Sequence, residues 1–187
     1  MLRIISGEYR GRRIQTLAGH RLRPSSDQFR ETLFNMLSAV IRGSHFVDAY
    51  AGSGAVGIEA VSRGARHVSF IENHKPAVNC IRSNLLALEI KSGFSIIPLD
   101  VVRALPQLEP FDIFFLDPPY AEAEEYEKIL TALGSTIQAA QPALVLAEHS
   151  RRLILRDAYG GLRRFRKKIQ GDSQLSFFQP SAGDADH

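Results

Sequence analysis

The chain holds one cysteine, Cys80, so it has no internal disulfide and no cysteine zinc cluster. That scarcity fits a reducing cytosol, and a cytoplasmic location is expected. No apolar run approaches the length of a membrane span, and the first residues lack a secretory leader pattern. No segment repeats, which argues against a solenoid. What is present suits one enzyme domain with a small appendage: 187 residues, 44% of them apolar. Cys80 falls in the helix-like stretch 75–88, beside Ile81 and in line with Asn84, and reads as buried filler.

The most informative four residues are Asp117-Pro118-Pro119-Tyr120. They follow the apolar run 111–116, which reads as a buried strand. Two prolines make a stiff loop whose carbonyls have few local donors. Asp117 and the Pro118 carbonyl are therefore a rigid pair of acceptors beside a flat ring, Tyr120. Such a loop can hold a planar base by its exocyclic amine and stack on its face. A strand-ending turn with a solvated aspartate is the plainer reading of the same letters.

About sixty residues earlier, the strand-like run 46–50 leads into Ala51-Gly52-Ser53-Gly54-Ala55-Val56-Gly57, and helical spacing follows. The glycines fit G-x-G-x-x-G, with Glu72 twenty positions after Gly52. Glycine permits the tight strand-to-helix turn and lets a ligand approach the backbone. Glu72 ends the next strand, where a carboxylate can bind both ribose hydroxyls. A dinucleotide and S-adenosylmethionine fit this pattern equally. Two features favour the methyl donor. Asp48, just before the glycine loop, suits the amino group of a methionine better than a pyrophosphate. The proline loop also ends a later strand of the same sheet, and ligands sit at the carboxyl ends of such strands.

Charge is unevenly spread, and that matters more than the net +3. Residues 1–24 carry six arginines against Glu8, and residues 151–168 carry eight cations against Asp157. Residues 25–150 hold nine basic and fifteen acidic residues. Two basic ends flank an acidic middle. Solvated faces would give the same runs, but two arginine-rich runs around a base-sized site favour a polyanion groove.

The coarse order is a hairpin over 2–17, a loop over 19–24, and a helix capped by Ser26 or Asp27 and running to about Ile41. Its apolar face holds Phe29, Leu33, Phe34, Leu37 and Val40. Strands at 46–50, 67–71, 94–99, 111–116 and 143–148 then alternate with helices at 54–63, 75–89, 101–107 and 123–138. A last antiparallel pair spans 165–169 and 175–179. Strand–helix alternation predicts a parallel sheet with right-handed crossovers.

The runs Arg23-Pro24-Ser25-Ser26-Asp27 and Arg30-Glu31-Thr32-Leu33-Phe34-Asn35 add a more specific signal. With Asp48-Ala49-Tyr50-Ala51-Gly52-Ser53-Gly54, Glu59-Ala60, Ser62-Arg63-Gly64-Ala65 and Asp117-Pro118-Pro119-Tyr120, the chain resembles bacterial 16S ribosomal RNA guanine-N2 methyltransferases of the RsmD type. The resemblance covers roughly residues 2 to 180. It implies an α/β, Rossmann-like class I methyltransferase fold: a mostly parallel seven-stranded sheet with helices on both faces, plus an N-terminal β-hairpin and helix. The implied division is an RNA-contacting hairpin and helix over 1–43, a methyltransferase domain over 44–180 and a frayed tail over 181–187.

The resemblance also implies S-adenosylmethionine as cofactor and 16S rRNA, in the small subunit or an assembly intermediate, as partner. A monomer without a metal or a membrane is expected. Asp117, Pro118, Pro119 and Tyr120 would be catalytic. Gly52, Ser53 and Gly54 would line the methionine portion, with Asp48 at its amino group, Glu72 the ribose and Asp100 the adenine amine; Ala51 and Asn73 would also bind the cofactor. Arg10, Arg12, Arg13, Arg23, Arg30, Arg164 and Lys167 would contact RNA. Gln28-Phe29 departs from the family's basic residue and valine, which leaves a phosphate contact at 28 unsupported. Glu148 and His149 end a strand near the site and receive no role. Rival readings are an adenine amine methyltransferase on DNA, a protein glutamine methyltransferase, and a non-catalytic RNA-binding assembly factor.

Overall fold

A parallel strand covered on both faces reads as an unbroken apolar run, and such runs build the centre of this fold. The computed structural model describes residues 1–17, 25–118, 123–136 and 143–181. It opens with a short antiparallel ladder, β1 (Leu2–Arg3) and β2 (Arg13–Ile14), in register Leu2↔Ile14 and Arg3↔Arg13. Helix α1 (Ser25–Met36) follows. Then come β3 (His45–Ala49), α2 (Ala55–Ser62), β4 (His67–Ile71), α3 (Lys75–Ala87) and β5 (Phe94–Ile97). A short α4 (Val101–Ala104) runs into a 3-10 turn at Leu105–Gln107. The chain continues through β6 (Ile113–Leu116), α5 (Ala123–Thr136), β7 (Leu144–Ser150), β8 (Ala158–Tyr159), β9 (Leu162–Gln170) and β10 (Ser173–Pro180).

The main sheet runs β5-β4-β3-β6-β7-β10-β9-β8. The first five strands are parallel; the last three join antiparallel. The sheet has eight strands rather than the expected seven. The extra one, β8, spans two residues, too few to show a period of two in sequence. The α/β class and the order of alternating elements are otherwise as expected.

Two apolar clusters cover the sheet. On one face, Phe46, Phe70, Phe115, Leu146, Leu175 and Phe177 meet residues of α1, α2 and α3. Ile4 and Ile14 of the hairpin belong to that same cluster, so the N-terminal segment shares the core of the sheet. On the other face, Val47, Phe114, Val145 and Phe178 meet α4 and α5. Val40 departs from the expected apolar face of α1 and is 50% exposed. The helix ends at Met36, and the turn after it brings Ile41 into the core instead. The loop 19–24, with Arg23, lies outside the described residues, as do Pro119, Tyr120 and tail residues 182–187.

Candidate active site

Strand direction brings the carboxyl ends of β3, β4, β5 and β6 to one edge of the sheet. In lateral order that edge carries Asp100 beyond β5, Glu72 after β4, the glycine loop after β3 and Asp117 after β6. Chain order runs outward from β3 to β4 and β5 on one side, then crosses to β6 and β7 on the other. A crevice forms where strand order reverses in this way, and ligands of open α/β sheets bind there.

The glycine loop is built by backbone that side chains disfavour. Tyr50 has φ 65°, Gly52 φ 56° and Gly54 φ 79°. Gly54 opens α2 in the left-handed region. Gly57, third in the motif, has another task. A Cβ there would stand 2.3 Å from Phe70 Cε1, so only glycine lets α2 lie this close to β4. A tyrosine at positive φ is a genuine outlier. Its hydroxyl donates to Glu125 Oε1 on α5, which ties the start of the glycine loop to the helix after the proline loop. Burial first, then the Glu125 hydrogen bond and charge, push the Tyr50 phenol well up.

Glu72 is 9% exposed and works on both sides of the crevice. Its Oε2 accepts the Gly52 N–H at 2.9 Å and its Oε1 the His74 N–H at 2.8 Å. An ionised carboxylate has about four acceptor positions, so ribose hydroxyls have room beside these bonds. Asp100 is half-buried and caps α4 by accepting the Val102 N–H at 3.0 Å. Asn73 is exposed beside Glu72, and Ala51 is buried beneath the loop. Asn84 of α3 donates to the Ser53 carbonyl at 2.9 Å and exchanges bonds with the Gln15 backbone. Gln15 of the N-terminal segment is thereby tied through Asn84 to the glycine loop. Cys80 also donates to Gln15 O and is half-buried, not the buried filler its helical position suggests.

Asp48 is 2% exposed, and its Oδ2 accepts the Gly57 N–H at 2.7 Å. That bond anchors the first turn of α2. Burial raises the Asp48 pKa to about 7; the Gly57 bond opposes the rise, and Asp117 and Glu72 add to it. Asp117 itself is exposed and Pro118 is buried at the end of β6. Burial first, then the charges of Asp117 and Glu148, raise the phenol of Tyr126, whose hydroxyl donates to the Glu148 carbonyl. His149 lies beneath, hydrogen-bonded to Ser176 at 2.9 Å and to the Ser150 carbonyl, and burial lowers its pKa.

Two of the expected RNA contacts are internal struts. Arg30 is 3% exposed. It donates to the Arg3 carbonyl at 2.6 Å and to Asp27, and lies 4.0 Å from Glu59. The Arg164 side chain is 4% exposed, paired with Asp157 and laid over Phe178. Lys167 is exposed on β9. Arg10, Arg12 and Arg13 are exposed on the hairpin, and Arg12 donates to the Ala87 carbonyl at the end of α3 at 2.7 Å.

A residue that sequence reasoning passed over fixes the hairpin. Glu59 of α2 is fully buried and accepts the Ile5 N–H at 2.8 Å, the Ser6 N–H at 3.0 Å and Arg63 Nε at 2.7 Å. Ser62 Oγ accepts the Tyr9 N–H at 3.0 Å and donates to the Ser6 carbonyl. Gly7 lies so close that a Cβ would fall 1.8 Å from the Ser62 carbonyl oxygen. A glutamate inside an otherwise apolar helix was the available signal.

The chain matches the family described as Conserved hypothetical protein 95 over residues 2–179. It is 32% identical over 187 residues to Ribosomal RNA small subunit methyltransferase D of Escherichia coli K12, covering 99% of this chain and 93% of that one. The protein of the same name from Haemophilus influenzae is 42% identical over 124 residues, 64% of either chain. The structure of yhhF, a candidate methyltransferase of Escherichia coli, superposes with a TM-score of 0.83 at 30% identity over 97% of this chain and 98% of that one.

Proposed function

The chain belongs to the Conserved hypothetical protein 95 family, and from that premise we propose that it methylates the exocyclic N2 amine of a guanine in 16S rRNA, using S-adenosylmethionine. The observation that carries this reading is the crevice itself. The glycine loop, Glu72 and Asp117 share one edge at the reversal of strand order. The names of the relatives support a small-subunit rRNA substrate, and the amine-holding loop supports guanine N2.

When bound, S-adenosylmethionine supplies an electrophilic methyl on a sulfonium that is already a good leaving group. Its holders would be the backbone of Gly52, Ser53 and Gly54, with Glu72 and Asn73 for the ribose and Asp100 for the adenine. The guanine amine is a poor nucleophile because its lone pair is delocalised into the ring. Asp117 and the Pro118 carbonyl accept its two N–H hydrogens, which favours a pyramidal nitrogen with an available lone pair. Positioning and fixed electrostatics do the rest. Tyr120 stacks on the base once it has left its neighbours. The substrate is a small subunit or an assembly intermediate in the cytoplasm, met by a monomer.

The test is Asp117→Ala. Methyl transfer to small subunits is expected to vanish while S-adenosylmethionine affinity stays within a few-fold. Near-normal turnover would make Asp117 a turn residue and overturn the mechanism. Labelled methyl transfer to small subunits, naked rRNA, DNA and protein distinguishes this reading from its rivals. Mass spectrometry of the rRNA then locates the modified base.

A further inference from the structure

The outer ribbon β9–β10 looks uniformly basic in sequence, but its two faces differ. Register pairs Phe177 with Arg166 and Phe178 with Arg164, so one extra residue, Phe165, is bulged out between them. A bulge re-aims the side chains beyond it. Arg164 thus turns to the α5 face with Phe178, where Asp157 neutralises it. Arg166 and Lys168 turn to the opposite face, opposite Phe177 and Leu175. That is the face of α1 and the hairpin.

On this face Arg166 lies 5.6 Å over the Phe177 ring. Among the described residues, neither it nor Lys168 forms an ion pair, whereas Arg63, Arg151, Arg156 and Arg164 all do. Phe165 meets Phe177 edge-on at 6.2 Å and is still 52% exposed. An exposed ring flanked by cations that have no carboxylate partner is an arrangement by which single strands are held: a base stacks on the ring and cations take the phosphates. Place in the sheet fits as well. The row Lys168–Leu175–Glu148 meets the end of β6 beside Asp117. Three strand spacings separate them, about 14 Å at the usual interstrand distance.

We propose that the Phe165, Arg166 and Lys168 face binds unpaired RNA flanking the target base, with Phe165 as a stacking platform. The inference rests on the RNA methyltransferase reading above. It gives the RNA two footholds on one face of the sheet, the hairpin on one side of the crevice and this ribbon on the other.

Binding of a fluorescent single-stranded RNA decamer tests it, together with kinetics on small subunits. Phe165→Leu keeps an apolar contact with Phe177 but removes the ring; it should weaken decamer binding about tenfold, as expected for loss of one stacked base. Phe165→Tyr should restore binding. Arg166→Gln with Lys168→Gln should make the slope of log affinity against log salt shallower by about 1.4, at roughly 0.7 per phosphate. On small subunits these changes should raise KM with little effect on kcat and none on S-adenosylmethionine affinity. Lys128→Gln, on α5 at the other face of the sheet, should change the decamer affinity little. Normal RNA binding by Phe165→Leu, or a dimer in wild type that this variant dissolves, would overturn the proposal. Should wild type methylate DNA or protein and not rRNA, the functional reading itself would fall, which is a separate result.

Discussion

Glu59→Ala gives the sharpest test of how the hairpin is held. Three donors lose their acceptor together: the Ile5 and Ser6 amides and Arg63 Nε, at 2.8, 3.0 and 2.7 Å. Arg30, 3% exposed and 4.0 Å away, loses its nearest buried counter-charge. Breaking a buried ion pair from one side costs about 3–5 kcal/mol. Each backbone amide left unsatisfied adds roughly 1–3 kcal/mol if the hairpin stays docked. The chain escapes that second cost by releasing the hairpin to water. The expected outcome is a stability loss of about 3–5 kcal/mol by urea unfolding, with the Ile5 and Ser6 amides losing hydrogen-exchange protection. Glu59→Gln keeps the volume but loses the charge, and places an amide donor against donors; it should fare little better. Stability within about 1 kcal/mol of wild type with both amides still protected would refute the reasoning, since Ser62, Asn84 and the buried Ile4 and Ile14 would then suffice to hold the hairpin.

Asp48→Asn keeps an acceptor for Gly57 but removes a group whose folded pKa is raised from 3.8 to about 7. Between those values the folded state holds the extra proton, so this group's contribution to stability falls as pH rises. Stability of the variant relative to wild type should therefore climb by about 1 kcal/mol per pH unit from pH 5 to 7 in urea melts; a pH-independent difference would show Asp48 ionised throughout. Glu72→Ala should weaken S-adenosylmethionine binding by ~1.5–3 kcal/mol, the range for hydrogen bonds to a charged group. Calorimetry checks this, and preferential binding of a nicotinamide dinucleotide would sink the cofactor assignment. Replacing Arg10, Arg12 and Arg13 by Ala should flatten the salt slope of RNA binding by about 2 if all three reach phosphates, and by about 1.4 if Arg12 stays on Ala87. An unchanged slope with normal subunit methylation would reduce the hairpin charge to a solvated face.

The buried parallel strands were legible because each is a short apolar run bounded by turn residues. The glycine turn and Glu72 at the same sheet edge were legible because their spacing is local. What escaped depends on partners far along the chain. Arg30 looks like a surface cation until the Arg3 carbonyl and Glu59 are brought to it. Glu59 looks like an exposed helix residue until Ile5 and Ser6 arrive, more than fifty positions away. Arg164 and Arg166 look alike until a bulge places them on opposite faces. The Gly57 amide that meets Asp48 was likewise not visible in the letters.

Helix α2 has the glycine loop at one end and the hairpin clamp at the other. Its eight residues span about 12 Å. Gly54 opens it, Glu59 and Ser62 grip the N-terminal segment, and Asn84 ties Gln15 back to Ser53. In the proposed function these are the two binding surfaces, and any coupling between them would run along α2. Thermodynamic reciprocity fixes the ratio: whatever factor RNA applies to cofactor affinity, cofactor must apply to RNA affinity.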